Sequence, residues 1–113
     1  MHEFGIAQGL LETVLAKARD IQAARIDTIA LEIGVLCGVD QSALVFAFTA
    51  LAEGTPAAGA TLKMESIPLR CYCSQCRTDF ECKPFQYKCP DCGANSSTIR
   101  SGREMNLISM EVT

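Results

Sequence analysis

The chain has 113 residues, of which 49% are apolar and 6% aromatic, and it carries a formal net charge of −3 at pH 7. That length suits one domain with a modest core, packed by Leu, Ile, Val and Ala because Trp is absent. The weak negative charge offers no general attraction to nucleic acid or anionic lipid. No apolar run approaches the roughly 18–20 residues that a membrane helix needs. Met1-His2-Glu3-Phe4 also lacks the basic-then-apolar order of a signal peptide. The expectation is a cytoplasmic protein without membrane insertion.

Residues 5–24 read as an amphipathic helix, because Ile6, Leu10, Val14, Ala18 and Ile21 recur at three- and four-residue steps, widened by Leu11 and Leu15. Over 26–36 the period becomes two. Ile29, Leu31, Ile33 and Val35 alternate with Thr28, Ala30, Glu32 and Gly34, the pattern of a strand with one buried face. Asp40 is suited to N-cap a second helix carrying Leu44, Phe48 and Leu51, which Gly54-Thr55-Pro56 closes. A further strand is expected over 61–69, with Pro68 at its end. From Arg70 to Arg103 aliphatic residues thin out and cysteines concentrate. Met105, Leu107, Ile108, Met110 and Val112 then return to a strand pattern, too short to stand alone and expected to pair with the first sheet.

Seven cysteines in a reducing compartment point to metal rather than to disulfides, and the odd number agrees. Cys73-x-x-Cys76 and Cys89-x-x-Cys92 are matched pairs with twelve residues between them. Four thiolates converging at about 2.3 Å satisfy a tetrahedral zinc ion and leave no position open, so such a zinc is structural. It would supply on the order of 10 kcal/mol of folding energy to a small unit. Redox chemistry at a single Cys-x-x-Cys and an iron–sulfur centre are the competing readings. Cys71 and Cys82 read as spare thiols, as an alternative ligand with Cys71 replacing Cys73, or as a thiol switch. Cys37 reads as a small core residue.

His2 is the single histidine. At position 2 its imidazole stands beside a free α-amine. The Met1 amine and the His2 amide nitrogen close a five-membered chelate ring, and the same amide and Nδ1 of His2 close a six-membered one. A planar, nitrogen-rich set of this kind suits Ni(II) or Cu(II). It must lose protons to bind, so binding is expected to depend on pH. Glu3 and Asp40 are candidates near the remaining position.

Together these residues resemble the HypA/HybF family of nickel metallochaperones. The likeness covers the whole chain. It runs through Met1-His2-Glu3, Ile6-Ala7-Gln8, Ile33-Gly34, Val39-Asp40, and Leu44, Phe46 and Phe48. It continues through Cys71-Tyr72-Cys73-Ser74-Gln75-Cys76, Cys89-Pro90-Asp91-Cys92 and Gly102-Arg103-Glu104-Met105. The resemblance implies a carrier, not an enzyme, that binds Ni(II) at its N-terminus. It would work with a HypB-type GTPase and deliver nickel to the hydrogenase large-subunit precursor, some members also serving urease. His2 would be the nickel ligand, Glu3 its neighbour in the site, and Cys73, Cys76, Cys89 and Cys92 the zinc ligands. Some members carry a ribbon histidine that this chain lacks. The sequence leaves a homodimer open.

The expected fold is α+β. Two helices pack on a small three-stranded sheet formed by residues 1–69 and 103–113, with a zinc-ribbon domain inserted at 70–102. A zinc ribbon binding protein or nucleic acid is the alternative function. Residues 70–103 carry a net +3 against −6 for the rest. A zinc tetrathiolate would lower that +3 further, too little for a nucleic-acid stripe. Tyr72, Phe80, Phe85 and Tyr87 are expected to form the ribbon's small core rather than a stacking platform.

Overall fold

A computed structural model describes residues 2–113. In chain order it contains α1 (His2–Asp20), β1 (Ile26–Gly34), a 3₁₀ turn (Val35–Cys37), α2 (Gln41–Ala52), β2 (Thr61–Ile67), β3 (Arg70–Cys73), β4 (Thr78–Glu81), β5 (Thr98–Ser101) and β6 (Met105–Val112). The strands form two three-stranded sheets, ordered β2-β1-β6 and β4-β3-β5. The final strand therefore joins the first sheet as its pattern implied, and the α+β class holds. Among the described residues no helix is long and apolar enough to cross a membrane.

The chain forms two compact units. The first takes the N-terminal segment as far as Leu31, then Val39–Met64 and Leu107–Thr113. Here α1 packs against α2. α1 buries Ala7, Val14 and Ala18, α2 buries Leu44, Phe48 and Ala52, and β1 contributes Ile26, Ile29 and Leu31. Phe48 and Leu44, fully buried, each contribute about 1.5–3 kcal/mol.

Helix α1 starts earlier and stops earlier than its apolar period suggests. It starts at His2, with Glu3 in the first turn, where a carboxylate interacts well with the helix dipole. It stops at Asp20 because Gln22 turns left-handed at φ 56°. Ala23 N–H then donates to Ala18 O at 2.9 Å and Gln22 N–H to Arg19 O at 3.1 Å, the paired bonds of a Schellman cap. Ile21, expected on the buried stripe, is exposed. Asp40 caps α2 as expected, its Oδ1 accepting from Ala43 N–H at 3.1 Å.

The second unit comprises Glu32–Gly38 and Glu65–Asn106. Its core is Leu69, Cys71, Cys73, Phe80 and Cys89, flanked by Leu36, Cys76, Cys82, Tyr87 and Ile99. Val35, expected at the buried end of β1, falls in the 3₁₀ turn and is exposed. β1 ends one residue before it because the backbone meets the Gly102 turn. Gly34 N–H donates to Glu104 O at 2.7 Å, and Leu36 N–H to Gly102 O at 2.8 Å. A Cβ on Gly34 would stand 2.1 Å from Gly102 O. This close backbone crossing is why the position requires glycine.

Gly34→Ala is therefore expected to cost about 1–3 kcal/mol in denaturant unfolding. Gly9→Ala, in open space on α1, should add about 0.8–1 kcal/mol through helix propensity.

Candidate metal centres

The second unit brings the sulfurs of Cys73, Cys76, Cys89 and Cys92 within 4.8 Å of one another. Two equivalent turns achieve this. Arg77 N–H donates to Cys73 O at 2.7 Å, and Gly93 N–H to Cys89 O at 2.9 Å. Each turn closes on a left-handed residue, Arg77 at φ 55° and Gly93 at φ 77°. Glycine takes that conformation freely, whereas arginine is strained by roughly 1–2 kcal/mol. The first turn leaves β3, and the second is tied back by Cys89 N–H to Ala94 O at 2.9 Å. The Ser96 hydroxyl, which donates to Tyr72 O at 2.6 Å, fastens that second turn to β3.

The separations suit a tetrahedral soft cation. A metal–sulfur length of about 2.3 Å gives a tetrahedron edge of about 3.8 Å. Cys73 and Cys92 sulfurs are 3.5 Å apart, and those of Cys76 and Cys89 are 4.0 Å apart. Neither is near the bonding distance of about 2.05 Å, and all seven cysteines are free.

The electrostatics point the same way. Cys76 N–H aims at Cys73 Sγ from 3.4 Å and brings the Cys73 thiol down to about 7. Cys76 itself is pushed up to about 12, first by Cys92 and then by Cys73. One thiolate thus forms easily and the next is opposed by its neighbour. A divalent cation at the centre inverts that order and lets all four ionise. Cys73 and Cys89 are buried and Cys92 is exposed.

His2 and Glu3 lie in the first unit. Glu3 Oε2 is 3.3 Å from His2 Nε2 and accepts a 3.0 Å hydrogen bond from Asp40 N–H. The same carboxylate oxygen thus meets the imidazole and the residue that caps α2. The Asp40 amide holds the Glu3 carboxyl below its ordinary range, aided by its own amide and by His2. The His2 ring is exposed, and among the described residues Glu3 meets it at Nε2. The expected Met1 amine lies outside the described residues.

Several expectations change. Phe85 is 92% exposed at the tip of a turn closed by Gln86 N–H to Lys83 O, so it is not core. Phe80 and Tyr87 do pack inside, and Tyr72 carries the Arg100 guanidinium 4.4 Å above its ring. Cys37 is half-buried rather than in the core, its thiol donating to Glu104 O at 3.3 Å. Cys71 stands apart from the four-sulfur cluster and faces Cys82. The clamping roles of Ser96 and Arg77 carry no sequence signal, since neither residue type announces its backbone geometry.

Four converging thiols on a β-hairpin scaffold, in a chain with a two-helix α+β unit, define a metal-binding protein of mixed class. Residues 1–112 match the family model described as "Hydrogenase/urease nickel incorporation, metallochaperone, hypA". The chain is 38% identical over 112 residues to a hydrogenase maturation factor HypA from Chloroflexus aggregans, covering 98% of each. It is 40% identical over 112 residues to one from Picosynechococcus sp., covering 99% of each. A solution structure of a HypA protein matches with a TM-score of 0.72 at 28% identity, covering all of this chain and 97% of that one. The Helicobacter pylori nickel metallochaperone HypA matches in fold with a TM-score of 0.64 at 23% identity, covering 97% of this chain and 96% of the other. The chain belongs to the HypA family of nickel metallochaperones, and it is a metal carrier rather than an enzyme.

The lowered Glu3 carboxyl yields a signed expectation. A depressed folded value means the Glu3–Asp40 contact is intact above the ordinary carboxylate range and is lost as pH falls through the lowered value. In nickel-free protein, the Asp40 amide resonance should titrate with a midpoint below 4.5, the reference value for Glu. It should lose that step in Glu3→Gln.

Proposed function

We propose that this protein binds Ni(II) through His2, oriented by Glu3, and delivers it during [NiFe]-hydrogenase maturation. The observation that carries the reading is the anchored first turn of α1, where one Glu3 oxygen meets both His2 Nε2 and the Asp40 amide. With Nε2 engaged, Nδ1 remains to close a six-membered chelate ring with the His2 amide nitrogen. The Met1 amine would complete three nitrogen donors, a set suited to Ni(II). An exposed ligand on a helix end suits cargo that must be given up.

Zinc is the ion we assign to Cys73, Cys76, Cys89 and Cys92. The donor set is soft and the separations bracket the tetrahedral edge. When bound, the ion would cross-link the two turns and supply no chemistry of its own. We assign nickel binding to residues 1–69 with 103–113 and the zinc ribbon to 70–102. The sequence holds no Gly-rich phosphate loop, so a GTPase of the HypB type would provide nucleotide hydrolysis. The recipient is the hydrogenase large-subunit precursor, in the cytoplasm. A nucleic-acid role finds little support: Phe80 is buried and Arg100 covers Tyr72.

Nickel titration at pH 7 tests the site. His2→Ala should keep zinc and fold while nickel affinity drops by at least tenfold, about 1.4 kcal/mol. Unchanged affinity would remove His2 from the site. One extra residue before Met1 should also weaken binding, and equal affinity would exclude the amine.

Zinc is tested separately. Stripping the metal with a chelator should collapse the amide dispersion of residues 70–102, consistent with a loss on the order of 10 kcal/mol. The resonances of α1 and α2 should remain.

A further inference from the structure

Cys71 and Cys82 take no part in the four-sulfur cluster, yet their sulfurs are 3.1 Å apart. That is closer than the 3.5 Å between Cys73 and Cys92 or the 4.0 Å between Cys76 and Cys89. Register produces the approach. β3 and β4 pair with Cys71 opposite Phe80. Cys82 N–H donates to Leu69 O at 3.0 Å, carrying the ladder one step past the end of β4. Cys71 and Cys82 are thus diagonal neighbours on one face of the hairpin. Cys71 is wholly buried and Cys82 half-buried. Packing alone asks only for a small apolar side chain at each place. Two thiols in contact add a chemistry that packing does not require.

We propose that Cys71 and Cys82 form a reversible disulfide that closes a ring around the turn bearing Cys73 and Cys76. This second staple rests on the reading of the four-cysteine cluster as a zinc site. An S–S bond of about 2.05 Å requires the sulfurs to approach by about 1 Å. Cys82 lies just beyond the last residue of β4 and is only half-buried, so rotation of its side chain can close that gap while its backbone stays paired to Leu69.

The oxidant is a low-molecular-weight disulfide. Cys82 Sγ, the more accessible sulfur, attacks one sulfur of that disulfide and forms a mixed disulfide. The departing thiolate takes the Cys82 proton. Cys71 Sγ then attacks the Cys82 sulfur and expels the second thiolate, which takes the Cys71 proton. Two protein thiols are oxidised to one disulfide, and one small disulfide is reduced to two thiols. The ring spans residues 71–82 and contains the first half of the metal site. Holding that half when metal leaves limits the states it can wander into, so the oxidised protein keeps and regains zinc more readily.

The test uses the full-length zinc-loaded protein, with zinc content measured first. After incubation with oxidised glutathione, free thiols are alkylated and the chain is cut with trypsin. Cleavage after Arg70, Arg77 and Lys88 separates 71–77 from 78–88, and Cys82 is the sole cysteine in the latter. The expected product joins these peptides through Cys71, with zinc retained. Zinc transfer to a chelator should then be about threefold slower than from reduced protein. Cys82→Ser should bind zinc and lose both the cross-link and the slowing. Recovery of Cys82 alkylated or capped by glutathione, its linkage to Cys73 or Cys76, zinc release on oxidation, or an unchanged transfer rate would each overturn the staple. Protein without zinc at the outset would overturn the zinc reading and the staple with it. Zinc-loaded protein without the cross-link overturns the staple alone.

Discussion

The second unit depends on bringing four thiols to one point. Four thiolates at one point would repel one another; Cys73 is lowered chiefly by the Cys76 amide, and Cys76 is raised chiefly by hydrogen bonding to Cys92 and Cys73. No small apolar cluster could hold four of them together against that repulsion. The core around them is Leu69, Phe80 and the cysteines themselves, far too little for an independent fold. A cation that converts repulsion into attraction is the natural solution. The architecture is built to present donors to it: two like turns, each closed by an i+4 backbone bond onto a left-handed residue. Ser96 and the β4-β3-β5 ladder then fix one turn relative to the other.

The first unit relies on a different principle. Its core is aliphatic apart from Phe48, its two helices pack on each other, and Ala7, Ala18 and Ala52 are among the residues they bury. This packing makes the N-terminal turn of α1 available to Asp40, the residue that caps α2. Glu3 then does two things with one carboxylate. It satisfies an amide that helix geometry leaves without an intrahelical partner, and it stands against the His2 imidazole. An imidazole on a frayed terminus would be mobile. Here Glu3, the residue beside His2, is tied to a second helix through the Asp40 amide, which orients the imidazole.

Element type was legible in the sequence wherever a period or a cap announced it. The change from helical spacing to alternation after residue 25, the cap at Asp40 and the return of strand residues after Glu104 all correspond to observed elements. The four-cysteine cluster was legible because the spacing of its paired motifs reflects a shared geometry. The misses arise where backbone conformation overrides side-chain pattern. Gln22 and Arg77 adopt the left-handed conformation without being glycine, so the early stop of α1 and the closing of the first turn left no trace in composition. Val35 follows the alternation perfectly yet leaves the strand, because the Gly34–Gly102 crossing ends it. Phe85 looks like core by type, but its place at a turn tip exposes it. The Cys71–Cys82 contact depends on strand register, which one sequence does not disclose.

The two proposed donor sets also differ in what they permit, and this bears on how one small chain would handle two metals. In the Cys73–Cys92 group every position of a tetrahedron is filled by sulfur, and two of the four residues are buried. A metal held there would exchange only when the turns open. At His2 the ring is exposed and one nitrogen faces Glu3, so on the proposed reading an incoming ligand would replace protein donors one at a time without unfolding anything. Affinity alone would not separate the ions, since sites of similar donors follow the same affinity order. On the proposed reading, separation would come instead from donor softness and access: thiolates in a closed tetrahedron would retain zinc, and nitrogens on an open helix end would release nickel. On the proposed reading, the closed site gives the ribbon its shape so that the open one can do the carrying.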